Sequence, residues 1–304
     1  MESDRFICVR EKASEQQAQV VIIDLEDPDN IMKRPISADS AIMHPDKRVI
    51  ALKAGRQLQV FNLENKQKLK SYLMSEEVLF WKWINISTIG LVTETAVYHW
   101  NLEVGSAEAE APRRVFERHS SLSGCQIINY RSDASGRWLL LVGITAQQGR
   151  VVGAMQLYNV DRNVSQPIEG HCGVFAEFKL PDSQVPTKVF AFAVRTQTSA
   201  KLNIVEIDHQ EGNPIIYQKK TLDLFFPPEA SSDFPVSMQY SSKYALLYVV
   251  TKYGFIHLYD ISSGSCVFMN RISSDTIFVT CEHRQTDGIL GVNRKGQVLL
   301  VSID

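Results

Sequence analysis

Hydrophobic and polar positions along the chain form short strand-sized segments separated by turn residues. In the stretch TKYGFIHLYDISSGSCVF, this pattern predicts a strand at Phe255–Tyr259, a turn at Ser263–Gly264 and the start of a second strand. Bulky side chains occupy both faces of the first strand. We therefore expect other structure to cover this strand on both faces.

The same unit, an apolar strand that ends on a polar residue, recurs along the chain. It occurs seven times, at spacings that average about 46 residues. The polar residues of the seven units are Asp24, Asn62, Asn101, Asn159, Glu206, Asp260 and Ser302. A propeller blade has four strands in ~40–50 residues, so the repeat predicts an all-β, seven-bladed β-propeller.

The second and last units differ in the number of strands they predict. Turn residues at 44–46, 54–55 and 64–65 divide the second unit into four strands. The last unit supplies three strands, and the start of the chain leads directly into the first unit. We expect a single propeller domain over residues 1–304. An open strand edge in the ring would be an aggregation liability. We therefore expect that the chain is a fragment that lacks the N-terminal strand closing its last blade.

Composition narrows the class of protein. The net charge of −2 gives no general attraction to nucleic acid or anionic lipid. The five cysteines are an odd number without C-x-x-C spacing, which favours reduced thiols in a cytoplasmic protein. No secretory signal precedes the first strand, and the longest apolar runs are strand-sized, so neither secretion nor a membrane span is expected.

The sequence offers no recognisable catalytic machinery. Phosphate-binding loops, nucleophile elbows and zinc-protease motifs do not occur. The seven histidines do not fall at metal-ligand spacings, and His99 and His257 lie inside strand patterns, where a packed structural role is expected. His119 beside Ser120 and Ser121 comes with no carboxylate to complete a triad. We expect no enzyme activity and no cofactor.

Residues 33–70 carry a local excess of positive charge, with nine basic and three acidic side chains. Lys66, Lys68 and Lys70 alternate, so on a strand they share one face, and Phe61 precedes them closely. An apolar groove with a cationic end suits a short extended peptide with alternate apolar residues and an acid. The alternative interpretation is a solvated charged face without a ligand.

Several stretches of the sequence carry a resemblance to a known family. They are KRPISADSAIMHP, VIALKAG, RHSSLSGCQIINYR, RVVGAMQLYNVDR, FFPPEA and GVNRKGQVL, and they closely resemble the N-terminal terminal domain of the clathrin heavy chain family. The resemblance spans the whole chain. It implies that family members continue before Met1 with the closing strand and past Asp304 into an α-solenoid leg.

The resemblance also implies three sites for short peptides. The first is a groove for the clathrin box, leucine-apolar-x-apolar-acid. In it Ile36, Ile50, Leu52 and Phe61 would form apolar pockets, Arg34, Lys66 and Lys68 would meet the acid, and Gln59 would hydrogen-bond the peptide. The second groove would take an arrestin-type loop at Trp138, Leu157, Arg162, Val164, Gln166 and Ile168. A third site on the top of the propeller would use Gln126 and Ile128, together with a family phenylalanine that lies before Met1.

Two of these assignments have a simpler alternative. Trp138 and Leu157 lie in predicted strands, where they could be core residues without a ligand.

These implications predict a non-catalytic docking domain of the clathrin vesicle coat, at the cytoplasmic face of coated pits and vesicles. Its partners would be adaptor and accessory proteins with short acidic and apolar motifs, and it would reach membranes only through adaptors and would not bind nucleic acid. Light-chain binding and trimerisation belong to family segments outside this chain. The alternatives are a purely structural cap on the coat leg and a catalytic propeller.

Overall fold

The computed structural model describes residues 1–15, 17–103, 111–209 and 215–303. Within these ranges the chain forms 26 β-strands in seven antiparallel sheets, and no α-helix. Short 3-10 turns occur at Ser120–Leu122 and Pro228–Ala230. No helix that could cross a bilayer occurs in the described part of the chain. The chain separates into two compact units, Met1–Arg118 and His119–Asp304.

The first unit contains three sheets. Sheet 1 has the strand order β1-β2-β3, with strands β1 (Phe6–Lys12), β2 (Ala18–Asp24) and β3 (Asp27–Ile36). Sheet 2 has the order β4-β5-β6-β7, with β4 (Ser40–Met43), β5 (Val49–Ala54), β6 (Gln57–Asn62) and β7 (Gln67–Leu73). Sheet 3 has the order β11-β10-β9-β8, with β8 (Phe80–Trp83), β9 (Thr88–Val92), β10 (Ala96–Asn101) and β11 (Arg113–Glu117).

The second unit contains four sheets, each with its strands in chain order. Sheet 4 contains β12 (Gln126–Ser132), β13 (Trp138–Gln147), β14 (Arg150–Asn159) and β15 (Val164–Glu169). Sheet 5 contains β16 (Cys172–Phe178), β17 (Thr187–Arg195), β18 (Ala200–Glu206) and β19 (Lys220–Asp223). Sheet 6 contains β20 (Pro235–Ser241), β21 (Leu246–Thr251), β22 (Phe255–Asp260) and β23 (Cys266–Arg271). Sheet 7 contains β24 (Ile277–His283), β25 (Gly288–Asn293) and β26 (Val298–Val301).

The seven sheets confirm the seven repeats predicted from the sequence. Each sheet is an antiparallel meander, the strand arrangement of a propeller blade. The four strands predicted for the second repeat are β4 to β7, and the three predicted for the last repeat are β24 to β26. Sheet 1 likewise has three strands.

Strand β22 is covered on both faces, as the sequence predicts. Ile256 and Leu258 pack in one apolar cluster with Ile277 and Ile289 of sheet 7. Tyr259 points the other way, into a cluster that contains buried residues of sheet 5 such as Ala191 and Leu202. A strand that separates two cores needs apolar side chains at successive positions, which explains the lack of alternation.

Close approach of two backbone segments fixes one glycine in sheet 4. A Cβ atom placed on Gly153 of β14 would lie 2.1 Å from the carbonyl oxygen of Gly170. The Gly170 N–H donates to the Gly153 carbonyl oxygen at 3.2 Å, and the chain then enters sheet 5. Only glycine leaves room for this crossing.

Candidate functional site

A cavity of about 330 Å³ opens in the first unit, between sheets 1 and 2. Its volume lies in the range of small-molecule binding pockets, ~300–1,000 Å³. Most of the lining side chains are apolar, and two are cationic. The lining residues are Val20, Arg34, Pro35, Ile36, Ile50, Leu52, Phe61, Asn62, Leu63 and Lys66.

Strand register brings the apolar lining residues together. Ile50 and Leu52 lie two positions apart on β5, so both point toward the cavity, and Phe61 of β6 pairs directly with Ile50. On sheet 1, Arg34 pairs with Val20 and shares its face of β3 with Ile36.

The floor of the cavity belongs to one of the hydrophobic core clusters of the first unit. Val20 and Ile50 are buried in that cluster, and Ile36, Leu52 and Phe61 are partly buried against it. The floor is therefore held by core packing and needs little rearrangement to receive a ligand.

The two cationic side chains that line this cavity have no counter-charge among the residues that the structure describes. Arg34 and Lys66 form no ion pair or side-chain hydrogen bond with any described residue. Lys66 is exposed in the turn between β6 and β7, where its backbone has a φ of 57°. Two unpaired cations beside an apolar surface can attract a carboxylate of an otherwise apolar ligand.

The cavity groups six of the eight residues expected in the first groove. Gln59 and Lys68 do not line it, although Gln59 pairs with Leu52 and Lys68 pairs with Phe61. Lys68 is exposed on the edge strand β7 of the same sheet. The sequence prediction did not include four of the lining residues, which are Val20, Pro35, Asn62 and Leu63.

The residues expected in the second groove divide into a buried set and an exposed set. Leu157 is 5% exposed and, with Trp138 and Ile168 packed against it, belongs to an apolar cluster that includes Phe190 of sheet 5. The structure therefore gives Leu157 the core position that the alternative interpretation allowed. The Trp138 Nε1–H donates to Asp208 Oδ1 at 2.7 Å.

The exposed set lies on the edge of sheet 4. Val164 and Gln166 of β15 pair with Asn159 and Leu157, and both are exposed. Arg162 is also exposed, in the turn before β15.

The two residues expected in the third site lie on β12, around a bulge. Ile128 sits where the pairing of β12 with β13 shifts register, and its side chain packs against the same cluster as Trp138. Gln126 is exposed at the start of the strand.

The two histidines predicted to have a structural role, His99 and His257, are half-buried and buried in the protein, respectively. Burial lowers the pKa of His257 to about 4, and its ring stacks on Tyr259 at 6.5 Å. Burial, with a smaller contribution from Arg113, lowers the pKa of His99 to about 4. The His119 Nδ1 contacts the Ser121 hydroxyl at 2.9 Å and accepts the Ser121 N–H, which caps a 3-10 turn. In the ranges described, no three His, Cys, Asp or Glu side chains group as metal ligands.

Several clathrin heavy chains are similar to this chain in sequence. The clathrin propeller repeat family matches residues 270–304. Clathrin heavy chain 2 of Homo sapiens is 58% identical over 304 residues, which is 100% of this chain and 18% of that protein. The clathrin heavy chain of Drosophila melanogaster is also 58% identical, with the same coverage. The probable clathrin heavy chain of Schizosaccharomyces pombe is 49% identical over 304 residues, again covering 18% of that protein.

A solved structure establishes the fold class. A chain in a crystal structure of the mitotic checkpoint complex aligns with a TM-score of 0.64 over 98% of this chain and 87% of that chain, at 9% sequence identity. With the seven meander sheets, this likeness makes the fold an all-β, seven-bladed β-propeller. At that identity the likeness concerns the fold alone.

Proposed function

Since the chain belongs to the clathrin heavy chain family, over the propeller region, we propose that it is a non-catalytic peptide-docking domain of the clathrin coat. Its ligands are short linear motifs of adaptor and accessory proteins, which it recruits during endocytosis and intracellular vesicle transport. The chain spans 18% of the length of the relatives named above, so the rest of the coat machinery lies in other segments of such proteins.

The observation that carries this proposal is the cavity between sheets 1 and 2. Its floor is apolar and belongs to the core, whereas Arg34 and Lys66 lack counter-charges among the described residues. An apolar cleft with unpaired cations is the complement of an extended peptide that carries apolar side chains and one acid.

Recognition follows from the geometry of an extended peptide. Alternate side chains of such a peptide point the same way and lie about 7 Å apart. Two apolar side chains of a clathrin box would enter the space between Ile36, Leu52 and Phe61, where burial removes apolar surface from water. The acid would then lie beside the cationic groups Arg34 and Lys66. Gln59 and Lys68, which flank the cavity on the same sheet, complete the proposed site.

We place the other two sites as secondary docking surfaces. In the second groove the exposed residues Arg162, Val164 and Gln166 would contact a ligand, whereas Trp138, Leu157 and Ile168 would form its supporting wall. Gln126 and Ile128 would take part in a third site. Membrane association would be indirect, through adaptors at coated pits and vesicles.

Peptide titration tests the proposed function. A fluorescein-labelled clathrin-box peptide is titrated with the purified chain, and fluorescence anisotropy reports binding. We expect saturation, and none for a control peptide with all three apolar motif residues replaced by serine. If neither peptide saturates, the propeller is a structural cap of the coat leg and the docking function is wrong.

A further inference from the structure

A second cavity, of about 230 Å³, lies in the second unit and shares no residue with the three sites described above. Three segments surround it: residues 148–151 in the turn after β13 and the start of β14, residues 195–197 at the end of β17 and just after it, and residues 231–234 before β20. Most of the lining residues are polar. They are Gln148, Gly149, Arg150, Val151, Arg195, Thr196, Gln197, Ser231, Ser232, Asp233 and Phe234.

One histidine holds the three segments together. The His171 Nε2 bonds the Val151 carbonyl oxygen at 2.9 Å, and its Nδ1 accepts the Arg195 N–H at 3.2 Å. These two bonds require a neutral ring with the proton on Nε2. The same ring lies 5.6 Å from the ring of Phe234. The walls of the cavity are therefore fixed relative to one another.

Arg195 is held in one orientation in this wall. Its Nη1 donates to the carbonyl oxygens of Ala230, at 2.9 Å, and Asp233, at 2.5 Å. Its guanidinium group stacks on the ring of Phe226, with Cζ 3.9 Å from the ring centre. A guanidinium that is fixed in this way loses little side-chain entropy when it binds an anion.

Asp233, the one carboxylate of the lining, is buried in the protein rather than exposed to the cavity. Asp233 is 1% exposed, and its Oδ1 accepts the N–H groups of Phe234 and Tyr253 at 2.8 and 2.9 Å. Its Oδ1 holds these two backbone N–H groups, and the side chain presents almost no surface to the cavity.

Several donors around the cavity have no partner in the described part of the protein. Arg150, Gln197, Ser231 and Ser232 make no side-chain hydrogen bond or ion pair with any described residue. Arg150 is half-buried, and this makes an unpaired guanidinium there more costly than one in full contact with solvent. A pocket that offers two guanidinium groups and two free hydroxyls, with its carboxylate turned away, is complementary to a multivalent anion.

We propose that this cavity binds a phosphoryl group, carried by a phosphoserine or phosphothreonine side chain of a docked peptide. Such a group brings a charge of about −1.5 to −2 and three strong acceptor oxygens. The cavity is smaller than the ~300–1,000 Å³ of drug-sized ligand sites, which fits one phosphorylated side chain. The exposed amides of Gln148 and Gln197 at the rim can bond the peptide backbone.

A phosphoinositide headgroup carries the same phosphoryl chemistry, but the surroundings favour the peptide. Binding to anionic membranes uses clusters of roughly four to eight lysines and arginines. The lining here contains only two arginines; its other polar groups are amides, hydroxyls and the buried carboxylate of Asp233. The proposal is independent of the cavity between sheets 1 and 2, so either site can fail without the other.

Binding of a model phosphopeptide tests the proposal. A labelled alanine-glycine peptide with one phosphoserine is titrated with the full chain in ~50 mM salt, where electrostatic attraction is weakly screened. The same peptide without phosphate is the ligand control. We expect saturation for the phosphopeptide only, and displacement by inorganic phosphate.

Matched variants locate the binding. Arg150→Gln removes one unpaired guanidinium and should weaken phosphopeptide binding by about tenfold or more. Arg294→Gln makes the same change at an exposed arginine of the second unit outside the cavity and should alter affinity by less than about twofold. Ser232→Asp adds a carboxylate at the rim, which repels the phosphoryl group, and should abolish phosphopeptide binding. Thermal melting confirms that each variant is folded.

Three results would overturn the assignment. Equal affinity for the two peptides would remove the role of the phosphoryl group. Wild-type affinity in folded Arg150→Gln or Ser232→Asp would place the binding elsewhere. Arg150-dependent binding to phosphatidylcholine vesicles that contain phosphatidylinositol bisphosphate, without phosphopeptide binding, would assign the cavity to a lipid headgroup instead.

Discussion

Phe61 and Lys66 should contribute to peptide binding through different forces. Phe61 is partly buried against the core cluster of the first unit and forms a wall of the cavity. Truncation of a packed aromatic anchor commonly costs ~2 kcal/mol or more, so Phe61→Ala should weaken a clathrin-box peptide about 30-fold. Lys66 is exposed, and a solvent-exposed ion pair contributes ~0–1 kcal/mol, so Lys66→Ala should weaken binding by about fivefold at most.

Salt separates the two contributions. At ~1 M salt the Debye length falls to about 3 Å, so the loss caused by Lys66→Ala should largely disappear. The loss caused by Phe61→Ala should persist, because apolar contact is not screened. Peptide affinities of wild type and both variants, measured by fluorescence anisotropy at low and high salt, give the comparison directly.

Two control variants lie in or next to sheet 2, and both change residues outside the cavity. Lys47→Ala removes an exposed charge outside the cavity, and Leu69→Ala removes an exposed apolar side chain on β7. Both should bind the peptide as wild type does. Thermal melting is needed for Phe61→Ala, because this side chain also packs on the core residue Ile50. If folded Phe61→Ala retains wild-type affinity, or if both losses vanish together in salt, the cavity acts only as an electrostatic patch and the reasoning fails.

Three further predictions concern other parts of the molecule. Gln166→Ala combined with Ile168→Ala should weaken an arrestin-type loop and leave clathrin-box affinity unchanged in the same anisotropy assay, because separate sites contribute almost additively; loss of both affinities would indicate unfolding or one shared site. Gly153→Ala should lower the free energy of unfolding by about 1–3 kcal/mol in urea denaturation, because the new Cβ would meet the Gly170 carbonyl oxygen, and unchanged stability would mean that the crossing can relax. Burial lowers the pKa of His257 from 6.5 to about 4. The unfolded chain therefore gains this proton first as the pH falls from 6.5 toward 4, and the free energy of unfolding should fall by up to about 1.4 kcal/mol per pH unit. His257→Phe should reduce that slope in urea denaturation between pH 7 and pH 4.5, and an identical slope would contradict it.

The fold could be predicted from the sequence because its signals are local. Turn residues at 44–46, 54–55 and 64–65 separate β4, β5, β6 and β7 at the positions where the structure separates them. The apolar positions on both faces of β22 likewise reflect two neighbouring cores. Such patterns depend on residues close together in the chain.

The sites were less predictable because they depend on register between sheets. Val20 lines the first cavity because β2 pairs it with Arg34, a relation that no local pattern reveals. Lys68 was expected beside Lys66, yet only Lys66 lines the cavity, since the turn directs it there and Lys68 continues along the edge strand. The polar cavity of the second unit is assembled from three distant loops and gave no sequence signal.

In the turn between β6 and β7, the backbone conformation of Lys66 sets fold stability against ligand affinity. A φ of 57° is left-handed, a conformation that costs a residue with a Cβ atom roughly 1–2 kcal/mol and that glycine adopts freely. Lys66→Gly should therefore stabilise the propeller while it removes a cation from the peptide cavity. Selection of this domain for heat resistance alone would favour glycine at position 66, and on the proposed function the more stable protein would bind an acidic peptide less tightly.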